Sequence, residues 1–109
     1  MITFQFSQFG HELGTRMLGQ QIREQLLPLI ETVAEGDKVI LDFQDVTLVA
    51  NSFADECLAK LLLYMPFEVL RARTTFRNTD EFVKRTIAVA FRRRQSQIEH
   101  PEDWPSLAS

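Results

Sequence analysis

Ser52 stands at the join between an apolar run and a helical pattern, inside Val39–Leu63, VILDFQDVTLVANSFADECLAKLLL. A hydroxyl at a helix start has two uses. It caps the helix by accepting a backbone N–H, a contact worth ~1 kcal/mol. It also offers a phosphoryl acceptor, because free N–H groups and the helix dipole stabilise negative charge there. A phosphoryl group would add a charge of about −1.5 to −2. Asp55 follows three residues on, the spacing of a capping box with a shorter acid than usual, and its carboxylate would repel such a group. Asp42, Asp45, Asp55 and Glu56 are acids of the type that binds hard cations. They share no fixed ligand spacing, however, and adjacent helical positions diverge by about 100°. No metal site is expected. Cys57 would need a lowered pKa and a nearby base to act as a nucleophile. His11 and His100 are distant in sequence, so a buried, inert thiol is expected.

Two basic groups complete the inventory. Arg16 and Arg23 are seven residues apart and share a helix face, where with Thr15 they could hold phosphate or an acidic partner. The alternative is a solvated face on which Arg23 pairs with Glu24 or Gln20. Arg92, Arg93 and Arg94 follow Lys84 and Arg85 on the last helical pattern and are read as cations at that helix's C-terminus. Nucleic-acid binding by this patch lacks interleaved aromatics or a recognition motif. Neither a glycine-rich phosphate loop nor a zinc spacing is present.

These groups need elements to position them. Ile2, Phe4 and Phe6 alternate with polar residues, which predicts an edge strand. From Leu13 the period changes, and Leu18, Ile22, Leu26, Ile30 and Val33 form a helical stripe closed by Gly36-Asp37. Pro28 within it is expected to bend or split the helix. Val39-Ile40-Leu41 is apolar on both faces, which predicts a central parallel strand. A helix capped by Ser52 follows, with Ala54, Leu58, Leu61 and Met65 inward, and Pro66 stops it. Phe53, Glu56, Lys60 and Leu63 then project outward as a docking face. Phe67–Arg73 is ambiguous and admits a short strand. Thr74–Arg77 reads as a strand. The last helix is capped by Asn78 or Thr79 and turns Val83, Ile87 and Ala90 inward. The expected order is β-α-β-α-β-α, a largely parallel or mixed sheet covered by helices.

Composition sets bounds. A chain of 109 residues is one domain, with 45% apolar and 25% charged residues. Nine Phe against one Trp and one Tyr predict a Phe-rich core. A net charge of −3 argues against general nucleic-acid binding. One cysteine excludes an intrachain disulfide and favours a reducing cytosol. No stretch has the length and apolarity of a membrane span. The expected domain is residues 1–98, with 99–109 a loosely ordered tail in which only Trp104 has a means of packing.

The segment LDFQDVTLVANSFADE, Leu41–Glu56, resembles the STAS family of anti-sigma factor antagonists and sulfate-transporter cytoplasmic domains. It is more similar still to the small bacterial STAS-like domains of unassigned function, which show an LDF strand, a V-containing loop and SFADE opening a helix. Thr15-Arg16, Gly19 and Ile22-Arg23 resemble that family's second motif, and Phe76 and Asn78 its last strand and turn. The resemblance covers most of residues 2–94. In antagonist STAS proteins a kinase phosphorylates the second serine of an Asp-Ser-Ser-Gly turn, which falls by motif position on Ser52. Ala50, Asn51 and Phe53 stand where that turn has Asp, the first Ser and Gly. The resemblance implies a cytoplasmic signalling module without enzymatic activity or cofactor. It would dock a regulatory protein of the histidine-kinase-like ATPase kind through Arg16, Asn51, Ser52, Phe53, Asp55, Glu56 and Lys60. Self-association through the first strand is compatible with this reading. The alternatives are nucleic-acid binding by the last helix, or a small enzyme using Cys57 or the acids Asp42, Asp45, Asp55 and Glu56.

Overall fold

A computed structural model describes residues 1–101. Three parallel strands make the main sheet: β1 (Ile2–Gln5), β3 (Val39–Asp42) and β5 (Thr74–Arg77), in the order β1-β3-β5. Their register aligns Ile2 with Val39 and Val39 with Thr74. The central strand is buried at all four positions, as its two-sided apolar sequence predicts. β1 lies on an edge, as expected, but only Phe4 and Phe6 of its alternating set are buried, and Phe6 already belongs to a short 3-10 turn. The Phe-rich core begins here. Phe6 stacks on Phe43 with ring centres 4.2 Å apart, and Phe4 meets Phe6 edge-on at 5.0 Å.

A second, two-stranded parallel sheet escaped the sequence reading. β2 (Glu12–Leu13) pairs with β4 (Leu48–Val49). Two-residue strands carry too short a pattern to register as alternation. Their effect is large, because each runs directly into a helix. α1 (Arg16–Thr32) starts three residues after Leu13, and α2 (Asn51–Cys57) starts two after Val49. The Ala50 N–H donates to the Leu13 carbonyl at 2.9 Å, which ties the two helix starts together.

Several boundaries differ from expectation. α1 begins after Thr15, whose hydroxyl accepts the Leu18 N–H at 3.1 Å. Pro28 does not split it; the ring faces solvent and α1 runs on to Thr32. α2 ends at Cys57, and the stripe continues through a 3-10 segment, Ala59–Leu63, to Met65. Ala54, Leu58, Leu61 and Met65 are all buried, as predicted. Phe67–Arg73 is a helix, α3, not a strand: Pro66 supplies its N-cap backbone, and Glu68 and Arg71/Arg73 match the dipole at its two ends. The cap of α4 (Glu81–Glu99) is Asp80, which accepts the Val83 N–H at 2.8 Å. Asn78 and Thr79 do not cap it, because Asn78 sits in the left-handed region at φ 59° and points back to the sheet. Val83, Ile87 and Ala90 face inward as expected. α4 takes in Glu99, the first residue of the expected tail; Trp104 lies outside the described residues. Among the described residues no helix is long and apolar enough to cross a membrane.

Candidate functional site

α1 and α2 pack closely because of Gly19. A Cβ there would lie 3.0 Å from the Glu56 Cβ, 3.2 Å from the Cys57 nitrogen and 3.3 Å from the Phe53 carbonyl oxygen. A glycine lets the two backbones come this near without any displacement of α2. Arg16 and Arg23 lie three residues before and four after it, on the same face of α1. The close crossing therefore brings both guanidinium groups against the side of α2.

What they meet is Glu56. Its side chain is 8% exposed and carries three cationic partners: Arg23 at 2.8 Å, Lys60 at 2.9 Å and Arg16 at 3.3 Å. Arg23 also donates to the Glu56 carbonyl oxygen. Burial by itself would raise this carboxyl; the hydrogen bonds from Arg23 and Lys60 outweigh it and lower the pKa to about 2. Next to it, Asp55 accepts a bidentate contact from Arg94 of α4, at 2.7 to 3.1 Å, and a 2.9 Å contact from Arg16. Burial again opposes ionisation, and the Arg94 and Arg16 bonds prevail, holding Asp55 below the usual carboxylate range. Arg16 spans both acids with one nitrogen and is itself half exposed. Four cations thus converge on two carboxylates.

This changes the predicted docking face. Phe53 and Glu56 do not project outward; both are buried. The reason is that α2 is covered on two sides, by α1 and by α4, so the face opposite its apolar stripe is closed as well. Lys60 is turned onto Glu56, and Arg23 takes Glu56, not Glu24 or Gln20. The acidic partner anticipated for Arg16 and Arg23 is within the chain. Ser52 is not the N-cap. The cap position falls on Ala50, and the Ser52 hydroxyl, half-buried, donates to the Gly14 carbonyl at 3.4 Å. Asn51 is exposed beside it. The structure also brings Met17 and Leu48 to this corner, 73% and 49% exposed, through the start of α1 and the short β2–β4 ladder. Neither was singled out in the sequence, since single exposed apolar residues carry no pattern.

The remaining candidates disperse. Asp42 ends the central strand, buried, and accepts from the Asn78 side-chain amide at 2.9 Å and the Gln44 N–H at 3.0 Å. These bonds, Asn78 first, lower its pKa. Asp45 is an exposed turn residue at φ 66°. Among the described residues no three His, Cys, Asp or Glu side chains converge as a metal site would need. Cys57 is sealed in the core, and burial pushes its thiol well above the ordinary range. Arg92–Arg94 are not at the C-terminus of α4, which continues to Glu99; Arg94 turns to Asp55, whereas Arg92 and Arg93 stay exposed.

Residues 19–84 match the model of a family described as a STAS-like domain of unknown function. The match spans more than half of the chain, which therefore belongs to this family. Gly19, Arg23, Glu56 and Lys60 lie inside the matched stretch, and Arg16 and Arg94 flank it. No curated protein and no solved structure matches the chain.

Proposed function

We propose that the chain is a non-enzymatic, cytoplasmic binding module that docks a regulatory protein at the corner where α1 and α2 begin. The partner class is a histidine-kinase-like ATPase, and the control is partner switching. One observation supports this most: Ser52 shares a helix face with Asp55 and Glu56, and both acids engage the half-exposed Arg16. A phosphoryl group on Ser52 would compete for that guanidinium, with its charge of about −1.5 to −2. Asp55 would remain held by the bidentate Arg94 contact, so its repulsion is already answered within the fold. The modification would then move one arginine at the surface between Asn51 and Met17 without opening the core.

The contacting residues in this reading are Asn51, Ser52, Arg16, Met17 and Leu48. Phosphopeptide mapping of the chain isolated from its native cells tests the modification. Affinity capture with wild-type, Ser52→Ala and Ser52→Asp chains tests the docking. The expected result is phosphate on Ser52 and an ATPase retained by Ser52→Ala but lost from Ser52→Asp. An unmodified Ser52, together with equal capture by both variants, removes it from the mechanism.

A further inference from the structure

We propose that the cleft between α3, β5 and α4 binds a small amphipathic anion: an apolar body with a single carboxylate or phosphate head. This site is separate from the Ser52 corner and does not depend on it. The cleft encloses about 720 Å³, within the ~300–1,000 Å³ typical of small-molecule sites. Its floor is the core itself, formed by Leu41, Leu58, Leu61, Leu70 and Ile87. Its walls are aromatic. Phe67 and Phe76 line it while 42% and 40% exposed, and Phe91 meets Phe67 edge-on at 6.1 Å. These rings are left uncovered next to a well-packed interior, which is how an apolar binding surface differs from scattered exposed residues.

The charge around the cleft decides the class of ligand. Lys38, Arg71, Lys84 and Arg92 line it, and among the described residues no Asp or Glu does. That is unusual for a chain with more acids than bases, 15 against 12. Among the described residues Lys38, Arg71 and Arg92 have no carboxylate within ion-pair distance, and Lys84 has only a 3.9 Å contact with the exposed Glu81. The contrast with the α1–α2 corner is plain, since there the fold supplies two carboxylates for its cations. Here a bound anion would supply the counter-charge that the described residues do not. Lys84, Ala88 and Arg92 are spaced four apart, so one face of α4 presents two cations over the cavity. Thr75 and Thr79 add hydroxyl donors at the wall. A neutral lipid would leave the cations unanswered. A second copy meeting this face across a two-fold axis would set the same cations against each other.

Chemical-shift mapping of the uniformly labelled full chain tests the proposal with four probes: decanoate, decyl phosphate, decanol and inorganic phosphate. Decanoate or decyl phosphate should shift the amides of residues 70–76 and 84–92 saturably, with Kd at or below about 100 μM. Whichever of the two binds more tightly identifies the head group. Decanol and inorganic phosphate should bind at least about tenfold more weakly, since each lacks one half of the recognition. Ala88→Trp, at an exposed α4 position lining the cleft, should abolish the shifts by filling the cavity. The double variant Arg71→Glu/Arg92→Glu should weaken the anions at least about tenfold and leave decanol unchanged, and serves even where Ala88→Trp disturbs folding. The proposal is overturned by decanol binding as tightly as decanoate, or by shifts confined to the Arg16–Arg94 corner. No shift with any probe at about 1 mM overturns it equally. So does a dimer in solution that Ala88→Trp dissolves, which would assign the cleft to self-association.

Discussion

Replacing Glu56 with Gln removes the charge on which Arg16, Arg23 and Lys60 converge and keeps the shape. The magnitude follows from the geometry. The carboxyl moves from an ordinary 4.5 to about 2 on folding. Each pKa unit is worth ~1.4 kcal/mol, so ionised Glu56 contributes about 3 kcal/mol at neutral pH. The folded pKa is depressed, so this contribution is fully present above pH 4.5 and is lost as pH falls through about 2. At pH 3 about 1.4 kcal/mol should remain, a fall of about 2 kcal/mol from neutral pH. The variant also leaves Arg23, whose side chain is 12% exposed, without its counter-charge. Removing one partner of a buried pair costs ~3–5 kcal/mol. Urea unfolding followed by circular dichroism at pH 7 and pH 3 gives both quantities. Glu56→Gln should be about 3 kcal/mol less stable than wild type at pH 7, with a gap narrower by about 2 kcal/mol at pH 3. An equal gap at the two pH values would show that packing, and not charge, explains the effect, and the account of the α1–α2 contact given above would fail.

Three further outcomes follow from the same contacts. Gly19→Ala should destabilise by ~1–3 kcal/mol although Ala favours helix by ~1 kcal/mol, because two of the three atoms meeting the new methyl are backbone atoms of α2; a gain in stability on urea titration would refute the close crossing. Cys57 should resist a thiol reagent in the native state and react at the rate of unfolding, so rapid labelling at neutral pH would contradict its burial. Asp80→Ala should cost ~1 kcal/mol by loss of the α4 cap, whereas Thr79→Ala should be nearly silent; the reverse order in thermal melts would put the cap where the sequence first suggested.

The sequence carried the sheet and the inner stripes well because these rest on long, repeated apolar patterns. Val39–Leu41 read correctly as a central strand, and Ala54, Leu58, Leu61 and Met65 as inward. It failed where one residue's role depends on a distant element. Phe53 and Glu56 look outward on any helical wheel drawn for α2 alone; they are inward because α1 covers that side, closely enough that a Cβ at residue 19 would crowd α2. Arg16, Arg23 and Gly19 were singled out as a motif, but their shared purpose was illegible without the crossing. Asn78 was read as a candidate helix cap and, by resemblance, as part of the last turn, and it caps nothing. Its reason is geometric: a left-handed backbone that asparagine tolerates, and an amide that ties the end of β5 to Asp42 at the end of β3. The two-residue ladder of β2 and β4 was too short for any periodicity, yet it brings the starts of α1 and α2 together.

α4 connects the two positive regions of the molecule. Arg94 and Arg92 are two residues apart and so point about 200° apart around the helix. One reaches Asp55 at the corner, and the other lines the cleft. At the corner the cations are held by carboxylates of α2, which makes them part of the fold; Arg16, half exposed, is the least enclosed of them. Among the described residues no carboxylate lines the cleft, and its cations are the ones proposed to meet a ligand. The same helix therefore has one face whose arginine is paired within the chain and one whose arginine has no carboxylate partner among the described residues. Reversing a charge at Arg94 and at Arg92 should consequently have opposite signatures. The Arg94 change is felt in stability through Asp55, and the Arg92 change in anion binding with the fold intact.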